Sequence, residues 1–352
     1  MTSPSPASPA PAYPVMALQR RTIPVNGMGV SDARQAIKTA IARMKAQVLL
    51  AAQWMPTCRL IVVPEFTLTG APLMGETIAQ WAAMAAIDPD GEDFDAIRSI
   101  AQEAGVYLAG HAYETDPNFP NLFFAGTWLI SPSGERLLQY RRLHSTITPS
   151  PYDVWDKYLD IYGIEGVFAV AQTELGGIAV IPCQEIVFPE LSRALALRGA
   201  EVLLHPTSEL GGPLLKKHDI ARRARAIENN FYVVSANSAG YAHSLFGDSA
   251  DGGSEVIDYL GNTIVKAGQG ESMVANCEID LGGLRRARNH ANVENLFART
   301  KTGLWADVYS RYDIVRPNTL ADSDGSSDAK FYAEEIRHSL KQMREAGVLP
   351  PE

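Results

Sequence analysis

The sequence predicts a single soluble α/β domain of stacked layers. Short apolar, β-branched runs alternate with amphipathic stretches of helical spacing, and strand pairs that read as hairpins intervene, which is the pattern of a layered fold. The 352 residues are 46 % hydrophobic and 20 % charged, the balance of an ordinary globular protein with a substantial core. No internal repeat of fixed period overlies this pattern.

In chain order, residues 1–14 (MTSPSPASPAPAYP) read as a disordered Pro/Ser/Ala-rich tail without the basic and apolar regions of a signal peptide. Val15 to Arg20 is the first expected strand, and Val30 to Gln47 a helix with Ser31 as its N-cap. Leu60 to Val63 reads as a buried strand ending at Pro64-Glu65-Phe66. It delivers Glu65 to a strand end, where ligand and catalytic groups gather in α/β layers. Asp93 to Ala104 is helical and Val106 to His111 a strand. Asn121 to Ile130 and Leu137 to Tyr140 bracket the turn Ser131-Pro132-Ser133-Gly134 as a hairpin.

From Leu143 to Gly166 the pattern fails amid Pro149, Pro151, several Asp and several aromatics. This stretch reads as a long loop with one helical turn, a length that usually serves function. Gly177 to Ile181 is then a buried strand, followed by a sharp turn carrying Cys183. A helix follows, with Pro189 at its first position and Gly199 just past its end. Val202 to Leu204, Phe231 to Ala236, Gly253 to Asp258, Thr263 to Lys266 and Met273 to Ile279 are further strands. Leu214 to Asn229 is a basic amphipathic helix. The domain is expected over 15–288. Residues 289–352 form a C-terminal extension expected to pack on a neighbouring subunit, with a last helix from Asp328 to Ala346.

Composition excludes several classes. A net charge of −9 and the lack of a Lys/Arg run argue against a nucleic-acid partner. The clusters Arg222–Arg225 and Arg285–Arg288 read as solvated or salt-bridged faces. Three cysteines without a CxxC pair point to a reducing, cytoplasmic compartment. Seven histidines without an HxxxH or HExxH pair give no metal site, and no apolar run is long enough for a membrane span.

Cys183, at a strand-to-helix corner, stands where a nucleophile is placed, facing N–H groups that favour thiolate. In isolation it reads as a buried structural cysteine. The wider constellation changes that reading. VVPEF (Val62–Phe66), YRRLH (Tyr140–His144), CQEIVFPE (Cys183–Glu190), RAIENNFYVVSAN (Arg225–Asn237) and GGSEVIDYLGNTI (Gly252–Ile264) follow one another in an order and spacing that resembles the nitrilase superfamily of carbon–nitrogen hydrolases. NLFARTKTGLW (Asn295–Trp305) is more weakly similar to the tail of aliphatic amidases. The resemblance implies an α-β-β-α sandwich, a homo-oligomer of dimers or larger, and a Glu–Lys–Cys site. Such a site hydrolyses a small amide or nitrile substrate without cofactor, through a thioester or thioimidate. Glu65 falls on the base, Cys183 on the nucleophile, and the N–H of Gln184 on an oxyanion donor.

Two departures stand out. The family lysine falls on Arg142, which is permanently charged, forks its donors and cannot give up a proton. Arg142 then serves as the cationic oxyanion stabiliser, binds a substrate carboxylate, or leaves that place to Lys157. Pro182-Cys183-Gln184-Glu185 keeps the family's acid after the cysteine but not its aromatic residue. No acid matches the second glutamate of many members. Asp156 and Asp160 are closest by offset, with Asp153 and Glu165 also available. His144 is a further candidate for lining the cleft. The expected activity is amide hydrolysis, with nitrilase or acyl-transfer activity on the same scaffold, or a catalytically silent oligomeric binding protein, as alternatives.

Overall fold

The computed structural model describes residues 12–209, 215–242 and 252–350. Most of the Pro-rich tail (1–11) and Leu214, at the start of the basic helix, lie outside them. The described residues form two six-stranded sheets laid face to face. The first holds β1 (Tyr13–Ala17), β2 (Leu60–Val62), β3 (Tyr107–Thr115), β4 (Phe123–Ile130) and β5 (Arg136–Arg141) side by side. Its first three strands are parallel and β3-β4-β5 is an antiparallel meander. The second holds β6 (Ala171–Thr173), β7 (Gly176–Val180), β8 (Val202–Pro206), β9 (Tyr232–Ala236), β10 (Glu255–Ile257) and β11 (Thr263–Lys266), with β7, β8 and β9 parallel. The chain then returns to the first sheet, where β12 (Asn276–Ile279) pairs antiparallel with β1.

Residue alternation builds the layers. Val15, Ala17, Leu60 and Val62 face inward, in one core with Ile178, Val180, Leu204 and Val234 of the second sheet. Met16, Ile61 and Val63 point outward into the core made with the helices. There α1 (Val30–Trp54) buries Ile37, Ile41, Met44, Val48 and Ala51, one face of a 3.6-residue period. Two more helices, α2 (Ile78–Ala85) and α3 (Glu92–Ala104), complete that cover. On the far side, α5 (Pro189–Leu197) and α6 (Leu215–Asn229) cover the second sheet. This is the expected α-β-β-α sandwich.

Pro189 opens α5 at its first turn, and Gly199 follows it with φ 98°. Gly177 is needed for a different reason. A Cβ there would stand 2.0 Å from the Gly199 carbonyl oxygen, where two backbones meet at the start of β7. Gly177→Ala is therefore expected to cost about 2 kcal/mol or more, read as a lower urea midpoint.

The structure corrects several expectations. The stretch expected to be a loop holds α4 (Trp155–Val167), broken at Gly163, where φ is 61°. The two glycines and the charged residues hid its periodicity. The first strand starts at Tyr13, inside the expected tail, and stops at Ala17. Of the two readings of the Arg222–Arg225 cluster, the salt-bridged one holds and the solvated one does not: Arg222 and Arg225 lie on the buried side of α6. Arg222 pairs with Glu209 (2.6 Å) and Glu255 (2.7 Å).

Three helices fall wholly or partly in the C-terminal part: α7 (Leu281–Asn289), α8 (Gly303–Arg311) and α9 (Ala329–Glu345). Part of the extension docks on its own chain. Asn318 and Leu320 N–H groups donate to the Tyr152 and Asp153 carbonyls (3.0 and 2.9 Å), while Leu320 and Tyr332 are buried. By contrast α8 buries none of its residues. No helix among the described residues is long and apolar enough to cross a membrane.

Candidate active site

The site forms where the ends of strands from both sheets meet. Glu65 lies just beyond β2, Arg142 just beyond β5, and Cys183 just beyond β7. Two of these corners are strained: Phe66 has φ 57° and Cys183 φ 41°, conformations costly for residues with a Cβ. Such strain persists only where the surroundings hold it.

Glu65 and Arg142 are both buried and form an ion pair, Nη1 to Oε1 at 3.2 Å. Arg142 also donates through Nε to the His144 carbonyl at 3.0 Å. Among the described residues, the second oxygen of Glu65, Oε2, has no hydrogen-bond partner of normal geometry. Burial pushes the Glu65 carboxyl up to about 7, against the opposing pull of Arg142 and of the Cys183 thiol. Burial also works against the charge on Arg142, but Glu65, Cys183 and Glu185 outweigh it and hold the guanidinium firmly protonated.

Cys183 departs from expectation. It opens a short 3₁₀ turn (Cys183–Val187), and α5 begins only at Pro189, so the thiol does not sit on an α-helix N-terminus. Burial and the negative Glu65 push it up to about 12, with Arg142 and the Thr207 hydroxyl working the other way. The resting group is therefore a neutral thiol that needs a base.

Glu185 holds the corner together. It is fully buried and accepts from the Tyr140 hydroxyl (2.6 Å) and from the N–H groups of Leu143 and His144 (2.8 Å each). One carboxylate thus fastens the segment carrying Arg142 to the turn carrying Cys183. Glu185→Leu would leave three donors without an acceptor, each worth about 1–3 kcal/mol when buried and unpaired. A loss of at least about 3 kcal/mol in urea unfolding is expected, together with lowered activity.

His205, which sequence reading missed, secures Cys183 from behind. Its Nε2 lies 2.8 Å from the Cys183 carbonyl oxygen, and its Nδ1 lies 2.9 Å from Ser235 Oγ. A carbonyl only accepts, so Nε2 carries the proton and Nδ1 takes the serine hydroxyl. Burial and the nearby Arg222 hold this imidazole neutral, with its pKa down at about 3. Beside it, Thr207 donates to Glu209 (2.8 Å). Glu209 stays ionised, its pKa drawn down to about 2 by His218 and Arg222 despite burial.

Other expected residues lie elsewhere. Asp156 and Asp160 are exposed on α4, on faces turned away from the core, so neither is brought to Cys183. Lys157 is also displaced: its Nζ donates to the Asn118 carbonyl (2.5 Å) and stands 4.9 Å from the Phe119 ring centre. Asp153 accepts from Ser150 and Thr319, and Glu165 pairs with Arg198. His144 stacks on Phe188 at 3.9 Å and reaches Glu185 through Nδ1 at 3.2 Å. With Gln184 it lines a cavity next to the corner rather than the ion pair itself.

A buried carboxylate and guanidinium thus stand beside a cysteine on a strained turn, within an α-β-β-α sandwich. Residues 29–289 match the carbon-nitrogen hydrolase family, and the chain belongs to it. It is 37 % identical over 214 residues to the human deaminated glutathione amidase, covering 58 % of this chain and 62 % of that protein. It is 30 % identical over 231 residues to a Pseudomonas protegens protein described as a hydrolase in the pqqF 5' region, covering 65 % and 75 %. In structure it is similar to a carbon-nitrogen hydrolase from Helicobacter pylori, with a TM-score of 0.65 and 18 % identity over 86 % of this chain and 99 % of that one. At that identity the likeness speaks for the fold alone.

Proposed function

We propose that the protein hydrolyses a small amide-like C–N bond through a cysteine thioester. The observation that carries this reading is the Glu65–Arg142 ion pair coupled to the Cys183 thiol, with Glu65 poised near neutrality. Glu65 takes the thiol proton as Sγ attacks the carbonyl carbon, and the C–S bond forms. Arg142 and the Gln184 N–H hold the oxyanion. The proton on Glu65 passes to the departing nitrogen, the C–N bond breaks, and ammonia or an amine leaves. Glu65 then takes a proton from water, which attacks the thioester; the C–S bond breaks, and the thiolate recovers that proton.

Arg142 supports an active site rather than a relic. It keeps the cationic place beside Glu65, and Lys157 is engaged elsewhere. The unpaired cysteines are in keeping with a reducing, cytoplasmic setting. The exposed apolar residues of α8, Leu304, Trp305 and Val308, fit packing of the 289–352 extension in a homo-oligomer, beside a hydrolase unit over 15–288.

The test is ammonia release from a panel of small amides and nitriles, with hydroxylamine added to intercept an acyl group. Amide turnover is expected; silence on the whole panel sinks the reading. The pH profile adds a second check. The base must be ionised, so kcat/KM should rise with pH through about 7 and fall about tenfold per unit below it. Arg142 does not titrate in this range and contributes no alkaline limb.

A further inference from the structure

A cavity of about 760 Å³ opens beside the candidate site, in the size range of small-molecule pockets. Leu143, Phe188 and Leu191 wall one side, and Ile336, Leu340 and Met343 of α9 wall the other. Those three α9 residues stand at i, i+4 and i+7, one helical face. Of that face only the preceding Tyr332 is buried, while Ile336 and Leu340 remain 48 % and 37 % exposed. Glu65, Arg142 and Cys183 do not line the cavity themselves, but chain neighbours of Arg142 and Cys183 do. Gln184 follows Cys183 directly, and Leu143 and His144 follow Arg142. Its charged residues are mainly acidic: Asp153, Glu190, Asp313 and Glu335, against Arg316, which Glu335 already engages at 2.6 Å.

We propose that this cavity receives the acyl body of the substrate, and that the substrate is a primary amide of an uncharged aryl or medium-length alkyl acid. The inference rests on the hydrolase reading above. The acyl group is the part that stays bonded to Cys183 after ammonia leaves, and the residue next in the chain lines the cavity. Apolar walls reward an alkyl or aryl body. The acidic rim repels a second carboxylate on the acyl chain.

The experiment measures kcat/KM by ammonia release for acetamide, hexanamide, phenylacetamide and succinamic acid. It uses the full-length wild type and two variants that fill the cavity from opposite walls, Ala194→Phe and Ser339→Trp. Hexanamide and phenylacetamide are expected to exceed acetamide and succinamic acid by about tenfold or more, in keeping with pocket discrimination per apolar group. Each variant should lose about tenfold on the two apolar amides and less than about twofold on acetamide. A flat series, or equal losses on all substrates, overturns the inference. So does a change in oligomer size, by light scattering, with selectivity unaltered, because the cavity would then be a subunit contact. Displacement of the neutral probe N-phenyl-1-naphthylamine by hexanamide, lost in Ser339→Trp, separates the two possible failures. A wild type silent on all amides that still shows displacement means the hydrolase reading has failed, and the substrate role with it. Turnover of acetamide without displacement means the cavity inference alone has failed.

Discussion

Cys183→Ala is expected to abolish amide turnover, by at least about 10⁴-fold in kcat, while the protein stays folded. Both halves of that expectation follow from the corner. Cys183 supplies the only side chain that bonds to the substrate carbon in the proposed cycle, so nothing else in that cycle replaces it. The resting thiol is neutral, its pKa pushed up to about 12, so removing it strips no charge from the ion pair beside it. Its carbonyl, held by His205 Nε2, is retained in the variant. Unfolding free energy should change by no more than about 1 kcal/mol, as for loss of one small half-buried group. Intact mass after acid quench makes the experiment sharper: wild type caught in turnover gains one acyl group, and the variant gains none. Full activity in the variant would remove the thioester from the mechanism.

Glu65→Gln is expected to reduce both activity and stability. Without a base the thiol stays protonated, and general-base catalysis of this kind contributes about 10²–10⁴-fold. The Gln side chain still offers an oxygen to Arg142 at nearly the same place, yet the buried guanidinium loses its closest counter-charge. Removing one partner of a buried pair costs about 3 kcal/mol or more. The two effects are separable by measuring kcat well below the unfolding transition and the urea midpoint apart. A variant that lost stability but kept kcat would make Glu65 a counter-ion rather than a base.

The strands other than β6 were legible because β-branched apolar runs such as Leu60–Val62 and Val202–Pro206 need little context to be read as buried strands, whereas β6 is three residues long and only Ala171 of it is buried. The kinked α4 was not legible, because Gly163 and Gly166 fall inside it and charged residues interrupt its apolar face. Short α2 was missed for want of length; its capping box at Thr77 and Gln80 was the available signal. Glu65, Arg142 and Cys183 are candidates through their motifs, and the ion pair brings the first two together. The offset that nominated Asp156 and Asp160 assumed a loop, and a helix turned both outward. His205 and Ser235 lay beyond the reach of local pattern. They meet because β8 and β9 run parallel with those two residues in register, a fact of sheet pairing that spacing along the chain does not encode.

The Glu185 clasp joins parts that belong to different sheets: Tyr140 lies on β5 of the first, and Glu185 follows β7 of the second. The candidate site therefore works as a gauge of how the two sheets are seated on each other. If one slides by a fraction of a hydrogen-bond length, Arg142 and Cys183 part company while each sheet remains intact. Activity should then be the first property lost under mild stress, and inner-face residues far from the cleft, such as Val15 or Leu204, become determinants of turnover through alignment alone.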